Sequence, residues 1–274
     1  MEAHPLENGI LVSFDPILFR LGPLSVRWFG VLVVVGLVVG ALLFQAEARR
    51  KQLLLPGVVH LLAWVVPAGV VGARLAHLID AWEYYVAHQQ EVWLVQQGGL
   101  SVWGALLAGG LAAVISCRRH GLPTARVLDA AAPGVALGLA IGRLGCFVNG
   151  DHQGPPTTLP WGTMYTSNGA LVPDFGTPRH PTQVYEMLYL LVVAGLLWRL
   201  RGRSLPDGAL FLVGSALYAL GRFALGYLRL DSEFLFGLNQ GQIVGLLVLA
   251  VAVPALAHRL LRPQPERGPA EGLP

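Results

Sequence analysis

The chain has 274 residues, 54% of them hydrophobic and 13% charged, against the roughly 25% charged residues of an average soluble domain. With a mean hydropathy of +0.57, that balance excludes a soluble globular protein. The formal net charge of +3 follows from membrane topology, and no nucleic-acid partner is expected.

Apolar runs long enough to cross a ~30 Å hydrocarbon layer, which takes about 20 helical residues, recur at 25–46, 57–79, 99–117, 127–148, 181–198, 208–228 and 241–260. Lipid cannot satisfy backbone polar groups, so such runs must be helices or a closed barrel, and the lack of two-residue alternation rejects the barrel. The expectation is an all-α integral membrane protein, a seven-transmembrane helical bundle. It forms a single transmembrane domain over 1–261 with a disordered tail at 262–274, rich in Pro, Gly and charge.

Residues 1–24 lack the basic start and short apolar core of a cleavable signal, so the first run is expected to be a retained span. Orientation follows from the basic residues, which stay cytoplasmic in short loops. Arg49, Arg50 and Lys51 follow run one, Arg118, Arg119 and Arg126 join runs three and four, and Arg199, Arg201 and Arg203 follow run five. Arg259, Arg262 and Arg267 follow run seven. The opposite loops, 80–98 and 149–180, carry Asp80, Glu83, Glu91, Asp151 and Asp174 against Arg179. The N-terminus is therefore expected outside and the C-terminus in the cytoplasm. Cys117 and Cys146 fall near opposite faces, which argues against a disulfide between them.

Arginines recur where they are costly: Arg74 in run two, Arg143 in run four, and Arg222 and Arg229 at the end of run six. An Arg at a helix centre costs about 2.5–3.5 kcal/mol on insertion scales, so it normally faces a partner or a watery cavity. Glu186, Asp80, Asp151 and Asp231 are the few available acids. Arg222 and Arg229, seven residues apart, share one helical face. A bound anion is the natural missing partner, because the guanidinium fork matches phosphate oxygens bidentately. The plainer reading is structural pairing of Arg74 and Arg143 with Asp80, Glu186 or helix-end carbonyls.

The stretch GRLGCFVNGDHQG (142–154) ends run four and brings Arg143, Asn149, Gly150, Asp151 and His152 to the membrane surface. HPTQVYE (180–186) opens run five with Pro181 suited to a first helical position. His180, Gln183 and Glu186 recur there at three-residue spacing, as a polar packing cluster or as substrate contacts, and Tyr185 reads as an interfacial anchor or a core packing residue. The histidines lack metal-ligand spacing, and no Walker loop is present. Neither a metal nor a cofactor is expected.

These segments resemble prolipoprotein diacylglyceryl transferase, the bacterial enzyme family that lipidates the lipobox cysteine of lipoprotein precursors. The resemblance runs through FRLGPLSVRWFG (19–30), GARLAHLID (72–80), GGLSVWGAL (98–106), GRLGCFVNGD (142–151), HPTQVYE (180–186), GRFALGYLR (221–229) and GQ (241–242). It implies a multi-pass protein of the bacterial cytoplasmic (inner) membrane that transfers diacylglyceryl from phosphatidylglycerol to the thiol in a prolipoprotein signal peptide. A thioether forms and glycerol phosphate leaves.

By that resemblance Arg143 and Arg222 hold the phosphate, and Asn149 and Gly150 shape the same site. Tyr218 matches a family tyrosine, while Arg229, His180, Gln183 and Glu186 match polar positions. The departures are Trp103 for the usual histidine, Phe29 for tyrosine, Cys146 for asparagine, and Asp151 and Gly226 for glutamates. Trp103 accepts no proton, so Asp151, His152 and His180 become the candidate acceptors, and electrostatic stabilisation of the leaving phosphate carries most of the expected rate. The alternatives are a lipid-binding paralogue without transfer, and a transporter, which would show paired repeats.

Overall fold

A computed structural model describes residues 9–22, 24–93 and 101–261; the tail at 262–274 lies outside them. Three short strands come first: β1 (Ile10–Val12), β2 (Ile17–Leu21) and β3 (Leu24–Arg27). Helices α1 (Trp28–Arg50) and α2 (Leu55–Asp80) follow, then the short α3 (Trp82–Ala87) and a 3-10 turn at Gln89–Trp93. The remainder is α4 (Val102–Arg119), α5 (Thr124–Asn149), β4 (Thr163–Tyr165), α6 (Thr182–Leu200), α7 (Ala209–Gly226), β5 (Glu233–Leu235), β6 (Leu238–Asn239) and α8 (Gln240–Leu261).

Among the described residues, six helices are long and apolar enough to cross a membrane: α1, α2, α5, α6, α7 and α8. The seventh apolar run folds as α4, an 18-residue helix that ends in Arg118 and Arg119. Large apolar side chains such as Leu37, Leu42, Leu107, Val192, Leu247 and Val251 point outward and are exposed. Helices greasy on every side suit a lipid solvent. Pro67, Pro133 and Pro254 sit inside helices, where neighbouring helices tolerate them in membrane proteins.

Close backbone approach organises the bundle. On the α1–α5 contact Gly36 faces Gly138 and Gly40 faces Gly134; a Cβ at Gly36 would lie 2.7 Å from the Gly138 carbonyl oxygen. The α2–α4 contact repeats the device, since a Cβ at Gly72 would lie 2.5 Å from the Gly104 oxygen. Where lipid removes the hydrophobic drive between helices, such small-residue contact supplies dispersion instead. In both pairs the residue numbers run in opposite senses, so the helices are antiparallel.

One end of the bundle gathers the basic loops. Buried Glu47 receives Arg50 at 2.8 Å and also pairs with Arg201. Buried Asp129 accepts the backbone N–H groups of Gly208 (2.8 Å) and Phe211 (2.9 Å), which caps α7, and Lys51 lies 3.6 Å from it. At the other end the loop between α5 and α6 is held by short pairings: β1 runs parallel to β4, with Ile10 opposite Thr163 and Val12 opposite Tyr165. Cys117 and Cys146 are free thiols.

Arg74 belongs to neither polar end cluster. Its Nε donates to the Val92 carbonyl (2.9 Å), its Nη2 to that of Glu91 (2.6 Å), and its guanidinium lies over the Tyr85 ring. The carbonyl version of the structural reading holds: Arg74 fastens α2 to the segment after α3.

Candidate active site

The site starts from the way α5 stops. Gly150 takes φ +82°, a left-handed cap that glycine adopts without Cβ strain, and its N–H donates to the Cys146 carbonyl at 2.9 Å. The turn leaves Asn149 buried and pointed into a polar chain. Arg27 Nη1 donates to Asn149 Oδ1 at 2.6 Å and to the Gly169 carbonyl at 3.1 Å, while Asn149 Nδ2 donates to Asp151 Oδ2 at 2.8 Å. The other Asp151 oxygen lies 2.9 Å from His152 Nδ1. Burial opposes ionisation of Asp151, but the His152 hydrogen bond and charge, with the Asn149 amide, hold its carboxyl below the usual carboxylate range.

His152 itself has φ +59°, an uncommon conformation for a side chain with a Cβ. It is pinned there from α6, whose first turn binds two successive carbonyls. The Thr182 hydroxyl donates to the His152 carbonyl, and Gln183 Nε2 donates to that of Asp151 at 2.5 Å. Gln183 Oε1 is buried and has no hydrogen-bond partner among the described residues.

One turn further along α6, Glu186 meets three arginines. Arg143 Nε lies 2.5 Å from Oε2, while Arg222 Nη1 and Arg229 Nη1 lie 3.1 and 2.9 Å from Oε1. Their side chains are 19%, 14% and 5% exposed, and that of Glu186 is 5% exposed. Arg229 also forms a fork to Asp231 (Nε 2.7 Å, Nη2 3.0 Å). Burial would raise the Asp231 carboxyl, but the Arg229 hydrogen bonds and charge outweigh it and hold that carboxyl below its ordinary range. Among the described residues, three guanidiniums (Arg143, Arg222, Arg229) meet Glu186 and Asp231, Arg27 reaches Asp151 by way of Asn149, and this network of four guanidiniums and three carboxylates keeps positive charge in excess.

The far wall comes from α7, β5–β6 and α8. The one-face expectation for Arg222 and Arg229 is corrected in detail: α7 ends at Gly226, and Arg229 reaches the same Glu186 oxygen from the turn beyond. Asn239 and Gln242 form a reciprocal capping box, each backbone N–H donating to the other's side-chain oxygen (3.0 and 2.9 Å). Asn239 Nδ2 and Gln242 Nε2 also reach the carbonyls of Gly226 and Phe223. A Cβ at Gly226 would lie 2.5 Å from the Gln242 side chain, so the missing side chain at 226 is space that Gln242 fills.

The structure therefore brings together Arg143, Asn149, Gly150, Asp151, His152, Gln183, Glu186, Arg222 and Arg229. Tyr218 sits one turn before Arg222 and makes no hydrogen bond to this network. His180 stands apart: its Nδ1 is 3.2 Å from the Tyr185 hydroxyl, which accepts from Trp161 Nε1 at 2.9 Å. Phe29 packs beside Gly145, and the side chain of Trp103 lies outside the described residues. Arg27 is the residue that sequence reasoning passed over; its one signal was a basic residue beside a helix start on an otherwise acidic side. Cys146, Asp151 and His152 also come together, each offering a donor atom within 4.8 Å of the others. Histidine spacing alone could not reveal that set.

The family model of prolipoprotein diacylglyceryl transferase matches residues 16–258. The chain is 35% identical over 250 residues to the phosphatidylglycerol–prolipoprotein diacylglyceryl transferase of Dehalococcoides mccartyi, covering 91% of this chain and 95% of that one. It is 34% identical over 264 residues to the protein of the same name from Nostoc sp., with 93% of each covered. A third relative so named, from Lysinibacillus sphaericus, is 32% identical over 265 residues, with 93% of this chain and 96% of its own length covered.

Proposed function

This chain belongs to the prolipoprotein diacylglyceryl transferase family, and from that premise we propose how it works: it transfers diacylglyceryl from phosphatidylglycerol to the lipobox cysteine thiol of a prolipoprotein. The single observation that supports this site most is Glu186, one carboxylate shared by three largely desolvated guanidiniums. An incoming phosphate completes the neutralisation that Glu186 leaves unfinished.

The chemistry needs a thiol sulfur to attack the glycerol carbon that bears phosphate. The carbon–oxygen bond breaks and its electrons leave with glycerol phosphate. Arg143 and Arg222 bind that phosphate and stabilise its growing charge, the kind of preorganised stabilisation that dominates in dry sites. Arg229, fixed by Asp231, and Glu186 hold the two arginines in place. Asn149, Gly150 and Tyr218 shape the headgroup site. His152, oriented by Asp151, takes the thiol proton that Trp103 cannot accept, with His180 and Gln183 as polar support.

In the same reading α4 is the seventh span, the N-terminus is outside, and loops 80–98 and 149–180 face the outer side of the bacterial inner membrane. One membrane domain then covers 1–261. The test is purified protein with phosphatidylglycerol and a lipobox peptide. A peptide heavier by one diacylglyceryl group is expected by mass spectrometry, and an unmodified peptide under every lipid condition would reject the reading.

A further inference from the structure

We propose that Cys146, Asp151 and His152 form a site for a divalent cation of the zinc class, and that occupying it shuts the transfer site. The three residues offer a thiol sulfur, a carboxylate oxygen and an imidazole nitrogen, all within 4.8 Å of one another. Zinc with bonds of ~2.0–2.3 Å holds tetrahedral donors roughly 3.3–3.8 Å apart, so the ligands need to close by only about 1 Å.

The most exposed ligand side chain has the room to make that movement. The His152 side chain is 43% exposed and that of Asp151 is 21% exposed, whereas Cys146 is buried in the last turns of α5. The supporting contacts are those a metal site uses to fix its ligands. Asn149 Nδ2 holds the Asp151 carboxylate, and α6 pins the Asp151 and His152 carbonyls through Gln183 and Thr182.

Charge decides whether a cation is tolerated. Arg143 Nη1 lies 3.7 Å from the Cys146 sulfur and opposes it, yet the Nε of the same side chain is committed to Glu186. Binding releases the thiol proton to solvent, and the resulting thiolate with the Asp151 carboxylate matches the two positive charges of the ion. A thiolate and an imidazole favour zinc, copper or cobalt over magnesium and calcium, which take oxygen donors. The resemblance places asparagine at 146 in the family at large, so the donor set arises from this chain's own residues.

Closure rests on the transferase reading, because the ion takes His152 and Asp151 from the thiol's proton path; the binding itself does not. The experiment titrates the full-length chain, purified without a histidine tag, with Co²⁺. A thiolate-to-cobalt charge-transfer band is expected, bleached by stoichiometric Zn²⁺. It should vanish in Cys146→Ser, weaken in His152→Gln and persist in Cys117→Ser. Failure of the native protein to give the band, or its survival in Cys146→Ser, would overturn the site. Zn²⁺ should also stop diacylglyceryl transfer by the native enzyme, with recovery on chelation. A cobalt band beside zinc-insensitive transfer overturns closure alone. Absence of transfer in metal-free buffer overturns the transferase reading and closure with it, while the band still decides the site.

Discussion

Buried carboxylates anchor both ends of this bundle, but their surroundings differ. Glu47 is shared by Arg50 and Arg201, whose side chains are 42% and 24% exposed, and Arg201 also stacks on the Trp198 ring. Asp129 serves chiefly as a cap for the backbone of α7. Glu186 is shared by three arginines that are each less exposed than either partner of Glu47. Water screens the surplus charge at the first end. At the second, water is largely excluded, and surplus positive charge there becomes binding energy for an anion.

The sharpest way to break this contrast is to remove one arginine from each end. Arg143→Ala or Arg222→Ala should lower diacylglyceryl transfer by ~100- to 1,000-fold, the loss typical when one preorganised donor to a developing charge is deleted. Arg50→Ala should leave the rate per folded molecule unchanged. Equal losses at the two ends, read by peptide mass shift, would erase the distinction.

Next in size is the cap. Asp129→Ala strands the Gly208 and Phe211 N–H groups, at a cost of ~1–3 kcal/mol for a buried unsatisfied group. The melting temperature in mild detergent should fall while the specific activity of the surviving protein holds. Asn239→Ala, which opens the capping box of α8, should cost about 1 kcal/mol by the same measurement.

The smallest effect concerns Asp231. Its carboxyl sits below the ordinary range because of Arg229, so its contribution is present at neutral pH and lost as pH falls through that lowered value. Its side chain is 37% exposed, which limits the gain. Asp231→Asn should melt slightly earlier than the native chain at neutral pH, and the gap should close in acid. A gap that widens in acid would reverse the assigned sign.

The helices were legible because lipid leaves the sequence little choice: the run at 127–148 folds as 124–149, and that at 241–260 as 240–261. The arginines were legible for the same reason, since a charge in an apolar run needs an explanation. The pairing of those charges was legible only in part: Glu186 was offered as a partner of Arg143, and the two do pair, but the wider network was not foreseen. Arg27 and Asn149 are 122 residues apart, and no local pattern says that one carboxylate on α6 will gather arginines from α5 and the end of α7. The short strands, two to five residues long, escaped notice because runs so brief lack the alternation that marks a longer strand.

The parallel pairing of β1 with β4 has a consequence for assembly. Residues 10–12 leave the ribosome well before their partners at 163–165, which follow only after α1, α2, α4 and α5 have been made. β1 must wait unpaired while those helices insert, and docks only when the loop after α5, which carries His152, arrives beside it. A strand made before four of the long helices is thus put in place after them, and a bulky insertion beside β1 would burden that late step of folding.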